Sequence, residues 1–190
     1  MEADWEVELG GGALVIDPHW PGFVDLRVQP ERARELSEAA DMPALSDALI
    51  SLNAAASPVW TSKCDVWPVA ELDADELDAP RDQGHEAVGC YIDLLPRHGG
   101  QWANPPELTD WCKRVCERLR VVPLYSCRID LVVRHANLAE EGLDLGVTAY
   151  LTAAGADRPA AVRTMASVLA ALTNAVCFVG DSARADSKLQ

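Results

Sequence analysis

Five segments of the chain alternate apolar with polar residues at a period of two, and that alternation leaves few folds open. It is the pattern of strands that bury one face and solvate the other. The segments are Phe23–Val28, Pro58–Trp67, about Ala87–Leu95, Cys127–Arg134 and Leu145–Thr152.

Helical stretches separate them. Pro30 opens one over Glu31–Asn53, with apolar positions at Leu36, Ala40, Leu45, Ala48, Leu49 and Leu52, and Pro43 divides it because proline lacks a backbone N–H. Asn104, Pro105 and Glu107 form a strong helix start, a capping side chain followed by proline at the first helical position. Leu108, Trp111, Cys112, Val115 and Leu119 then fall on one stripe, and Pro123 closes that helix. A last helix, about Pro159–Val179, is apolar over most of its circumference apart from Arg163, Ser167 and Asn174, and Gly180 is expected to end it.

The order is strand, helix, strand, strand, helix, strand, strand, helix. It predicts an α+β domain with a five-stranded, mainly antiparallel sheet: a ferredoxin-like split βαβ core, one extra hairpin strand, a C-terminal helix, and all helices on one face. At this length one core suffices, so residues 1–180 are expected to form a single domain and 181–190 a mobile polar tail.

Splitting the strands by parity gives an apolar set that the helices would cover. It comprises Val24, Leu26 and Val28; Trp60, Cys64 and Val66; Val88, Cys90, Ile92 and Leu94; Cys127, Ile129, Leu131 and Val133; and Val147, Ala149 and Leu151. The opposite set is polar: Asp25 and Arg27; Thr61, Lys63 and Asp65; Tyr91 and Asp93; Arg128, Asp130 and Arg134; Thr148, Tyr150 and Thr152. Two strands share the pattern Cys-x-Ile-Asp-Leu-x-x-Arg, at Cys90–Arg97 and Cys127–Arg134. With one helix between them they form a candidate βαβ crossover, which would run them parallel and set Asp93 and Asp130 at similar heights.

Charge limits the partners. The chain carries 30 acidic and 16 basic residues, a formal net charge of −14, which repels nucleic-acid phosphates and anionic membrane surfaces. Neither nucleic acid nor membrane is therefore an expected partner. The acidic stretch Met1–Gly12 lacks the basic and apolar regions of a secretory signal, and the most apolar run, Ala160–Val179, is interrupted by Arg163, Thr164, Ser167, Thr173 and Asn174 and reads as a core helix. Six cysteines without close loop spacing point to reduced thiols and a cytoplasmic setting.

The motifs of the familiar enzyme classes are missing. Gly10-Gly11-Gly12 is followed by no Lys-Ser/Thr, and there is no Gly-x-Ser-x-Gly or His-Glu-x-x-His. No cofactor is expected. The cysteines include no Cys-x-x-Cys pair, so Cys64, Cys90, Cys112, Cys116 and Cys127 read as core residues and not as metal ligands. The acidic stretch Glu71–Glu86, with Asp73, Asp75, Glu76 and Asp78, reads as a solvated loop; His19, His85, His98 and His135 read as surface residues.

The charged face is then the candidate site. Lys63, Asp65, Tyr91, Asp93, Arg128, Asp130, Arg134 and Tyr150 converge from several strands, and Lys63, Arg128 and Arg134 supply donors suited to a small anionic ligand, with Trp67 and Tyr91 as walls. Alternating charges on neighbouring strands also describe a self-neutralising, solvated sheet surface. The alternative expectation is a homo-oligomeric interaction module, in which a second copy covers the apolar last helix.

Overall fold

The structure is a computed structural model. It describes residues 1–18, 20, 22–71, 77, 86–98, 102, 104–138 and 144–187, without the side chains of 180–187. Most of the acidic stretch 71–86, together with His19, His85 and residues 188–190, lies outside the described residues.

The fold is α+β, with a five-stranded open sheet in the order β1-β4-β5-β3-β2. The strands are β1 (Glu2–Glu8), β2 (Val59–Val69), β3 (Glu86–Pro96), β4 (Cys127–Ala136) and β5 (Asp144–Gly155). The helices are α1 (Pro43–Asn53), α2 (Pro105–Arg120) and α3 (Arg158–Ser187), with two short 3-10 turns at Pro30–Glu35 and Ser37–Ala39. Element order follows the sequence reading, but the first strand lies some twenty residues earlier than expected.

In β1, Glu2, Asp4, Glu6 and Glu8 alternate with Ala3, Trp5 and Val7, and Ala3 and Trp5 pack on the core. The stretch 23–28 is not a strand. The Asp25 carboxylate accepts from the backbone N–H of Arg27 at 2.9 Å and from its guanidinium, closing a local turn that replaces strand pairing.

The sheet is mixed, where the sequence predicts a mainly antiparallel one. β1 runs parallel to β4, while the other neighbours are antiparallel. The ferredoxin-like arrangement is not confirmed, because the strand on which it rested is this turn. β3 and β4 point the same way, as the crossover through α2 predicts, but β5 lies between them. Asp93 pairs across to Thr148 and Asp130 to Tyr150, so the two repeated aspartates are offset by two residues instead of level.

Pro43 is the first residue of α1, and the turns before it are 3-10. Asn104 caps α2, its Oδ1 accepting from Glu107 N at 3.0 Å, and the buried stripe Leu108, Trp111, Cys112, Val115, Cys116 and Leu119 faces the sheet. α3 continues past Gly180 to Ser187. Its Met165, Val168, Leu169, Leu172 and Val176 are fully buried with strand residues Ile92, Ile129, Leu131 and Leu151 in one core. α1 and α2 flank α3, and the exposed positions among its described side chains include Arg163, Ser167, Ala170, Asn174 and Phe178. By length and composition the stretch Arg158–Val179 would suffice to cross a membrane, yet half of it is buried here, the position of a core helix.

Candidate functional site

The register sorts the face away from the helices into rows that cross the sheet. One row reads Asp4, Asp130, Tyr150, Tyr91 and Asp65, one residue from each strand. The row on one side reads Glu6, Val132, Thr148 and Asp93 and ends at an irregularity in β2. The row on the other side reads Glu2, Arg128, Thr152, Gly89 and Trp67. The eight residues expected to converge thus do so on this face or at its β2 edge. The four acids of β1 join them, and sequence parity alone did not put them there.

The irregularity is a β-bulge. Thr61 pairs with Leu94 and Cys64 with Ile92, so Ser62 and Lys63 together stand opposite Asp93. The extra residue reverses parity before it. Trp60, expected under the helices, lies across from Leu95 in a small cluster with Ile16, Phe23 and Ala136. Thr61, expected on the polar face, is buried towards α1, where its Oγ1 accepts from Asn53 Nδ2 at 2.7 Å and its N–H donates to Asn53 Oδ1 at 3.1 Å.

Both arginines of the face are internally paired. The Arg134 side chain is only 9% exposed and donates to Glu8 Oε2 at 2.8 Å, to the Tyr150 hydroxyl at 2.9 Å and to Thr148 Oγ1 at 3.4 Å. The Thr148 hydroxyl in turn donates to Asp93 Oδ1 at 2.7 Å. Burial works against the Arg134 charge, but the hydrogen bonds with Tyr150 and Glu8 outweigh it and hold its pKa above the ordinary arginine value. Arg128 folds back on Asp130, two residues along the same strand, at 2.7 Å.

Asp93 is 6% exposed, and burial raises its pKa, against the lowering influence of the Thr148 hydrogen bond and of Lys63 and Arg134. Burial also pushes the Tyr91 hydroxyl up to about 12, helped by Asp93 and Asp65. Lys63 feels the Asp93 charge but makes no ion pair among the described residues.

At the bulge the sheet edge opens into a pocket of about 280 Å³. Val24, Leu26, Leu36 and Leu49 form an apolar wall, and Ser62, Lys63, Glu38, Asp65 and Tyr91 supply the polar groups. Ser62 Oγ is buried and has no hydrogen-bond partner among the described residues, a cost of about 1–3 kcal/mol for a group of this kind. Cys64 also lines the pocket, but burial, with Glu38, Asp65 and Asp93 adding to it, pushes its pKa up to about 12 and keeps it a thiol. Ser62 and Glu38 escaped the sequence reading, since a bulge and a contact from a distant turn leave no periodic signal.

Cys90, Cys112, Cys116 and Cys127 are buried, and no disulfide joins the cysteines among the described residues. Among the described residues no group of three or more His, Cys, Asp or Glu side chains is placed to hold a metal ion. His135, expected at the surface, is half-buried in β4, with a buried Nδ1 that has no partner among the described residues.

No protein-family model, curated protein or solved structure matches the chain.

Proposed function

We propose that the chain binds a small organic acid with an apolar body in the pocket at the β2 bulge. The observation that carries this reading is Lys63: of the three cations expected to hold an anion it alone lacks an ion pair among the described residues, and it lines a pocket with an apolar wall. Arg128 and Arg134 already serve internal carboxylates, so the ligand's anionic group goes to Lys63. Its hydrocarbon part lies against Val24, Leu26, Leu36 and Leu49. Glu38 and Asp65 accept hydrogen bonds from donors on the ligand, which favours amino or hydroxy acids over simple fatty acids.

A thermal-shift panel of short branched and aromatic amino and hydroxy acids tests it. A ligand at one hundred times its Kd adds about 2.7 kcal/mol to stability. The expected result is stabilisation by at least one compound in the native chain and loss of that stabilisation in Lys63→Ala. No shift with any compound, or an equal shift in Lys63→Ala, would overturn the reading.

A further inference from the structure

The bulge pocket carries more negative charge than its one cation offsets. Lys63 brings a positive charge to the lining, whereas Glu38 and Asp65 bring two negative ones. Among the described residues neither carboxylate is paired with a cation. Glu38 accepts from the Ser37 hydroxyl at 3.0 Å and Asp65 from the backbone N–H of Val66 at 2.7 Å, each from its neighbour in sequence, and both keep lone pairs for further donors.

The same two carboxylates line an adjoining cleft together with Asp41 and Arg158. Asp41 adds a third negative charge there and Arg158 one positive charge, so the balance over the two cavities stays negative. Cys64, on the pocket lining, registers the field: beyond the effect of burial, Glu38, Asp65 and Asp93 all raise its pKa.

This charge pattern separates ligands of one shape. A carboxylate without an ammonium group meets Lys63 but adds negative charge beside Glu38 and Asp65. A zwitterion adds no net charge and presents an opposite charge to each side of the pocket. Lys63 and Asp65 stand two residues apart on β2, about 6–7 Å between Cα atoms at about 3.3 Å per residue. The carboxylate and ammonium on one α-carbon can engage both at once, through charge-assisted hydrogen bonds of about 2.8 Å. The Tyr91 ring on the same lining adds cation–π attraction for an ammonium that a hydroxyl does not gain. A volume of about 280 Å³ suits a single amino acid with an aliphatic side chain.

Resting on the reading of the bulge as a ligand pocket, we infer that its ligand is an aliphatic α-amino acid bound as the zwitterion, with the carboxylate on Lys63, the ammonium shared by Glu38 and Asp65, and the side chain on Val24, Leu26, Leu36 and Leu49. Glu38 and Asp65 are then the specificity-determining residues, which select the amine over the hydroxyl on one carbon skeleton.

Isothermal titration calorimetry at pH 7 and low salt tests this with leucine, with 2-hydroxy-4-methylpentanoate, which carries a hydroxyl in place of the ammonium, and with 3-methylbutylamine, which lacks the carboxylate. Leucine is expected to bind about tenfold or more tighter than the hydroxy acid, a difference of about 1.4 kcal/mol, and tighter than the amine. Asp65→Asn and Glu38→Gln are each expected to weaken leucine about fivefold or more and to leave the hydroxy acid bound as before or tighter. A hydroxy acid that binds the native chain as tightly as leucine would overturn the inference and leave the pocket reading in place, whereas binding of neither acid would remove both. The amine binding as tightly as leucine would overturn it by leaving the carboxylate without a role. Variants that weaken both acids alike, or neither, would overturn it too, since only a direct contact with the ammonium separates the two ligands.

Discussion

Arg134 on β4 directs two of its N–H groups onto one carboxylate oxygen of Glu8 on β1, at 3.0 and 2.8 Å, and so ties the edge strand to the interior of the sheet. Arg134 is nearly buried and also serves Tyr150 and Thr148, whereas the Glu8 side chain is 42% exposed. Truncating the two is therefore unequal. Arg134→Ala is expected to cost about 2–4 kcal/mol in urea denaturation, since it strips partners from Glu8, Tyr150 and Thr148 together. Glu8→Gln keeps an acceptor and is expected to cost about 1 kcal/mol or less. Equal losses for the two would mean that the network does not act through Arg134.

Asp93 sets a pH dependence whose sign follows from its raised pKa. Below the ordinary carboxylate value of 3.8 both folded and unfolded chains hold the proton. As pH rises through that value the unfolded chain releases its proton first, and stability falls until the pH passes the higher folded value. Asp93→Asn keeps an acceptor for Thr148 and has no proton to lose. Its stability advantage over the native chain should therefore grow from pH 4 upward and then level off. A variant that loses ground as pH rises would contradict the assignment of burial as the dominant cause.

Two glycines answer to different neighbours. A Cβ at Gly89 would meet the Trp67 indole at 2.5–2.7 Å, a side chain able to swing outward. At Gly155 it would meet backbone, Ala161 N at 2.4 Å and Ala160 C at 2.6 Å, in the first turn of α3. Gly155→Ala is expected to destabilise by about 3 kcal/mol or more, and Gly89→Ala by about 1–2 kcal/mol with a change in the tryptophan emission. Thermal unfolding of both variants ranks them, and a milder effect at Gly155 would refute the packing described.

Cys64 lines the pocket but stays protonated. Raising its pKa from 9.0 to about 12 cuts the thiolate fraction at pH 8 by about a thousandfold. Its alkylation by iodoacetamide in the folded protein, followed by mass spectrometry, is expected to be slower than in urea by about that factor. Rapid modification of native Cys64 would show a thiolate that this environment does not sustain.

Four strands were legible because their apolar positions alternate over most of their length, as in Cys90, Ile92 and Leu94, with β2 doing so only after its bulge. β1 was not, since its outward positions are all acidic and Ala3 is its smallest inward residue, so it reads as a solvated terminus. Phe23–Val28 misled because alternation there competes with the Asp25 side chain, which closes a turn onto Arg27. All eight expected site residues reach the charged face or its β2 edge, but alternation alone left open which of Lys63, Arg128 and Arg134 would pair internally and which would face a ligand. Pairing of Arg134 with Glu8 depends on β1, and the separate position of Lys63 depends on a bulge, neither of which a period-two pattern contains.

Lys63 and the bulge of β2 together make up the proposed ligand site. Backbone amide NMR, titrating the native chain and Lys63→Ala with 2-hydroxy-4-methylpentanoate up to about 10 mM, tests it at the level of single residues. Saturable shifts centred on Ser62, Lys63, Cys64 and Asp65 and on the wall residues Val24, Leu26 and Leu36, lost in Lys63→Ala, are the predicted result. No saturable shift at those residues, or the same shifts in Lys63→Ala, would contradict it.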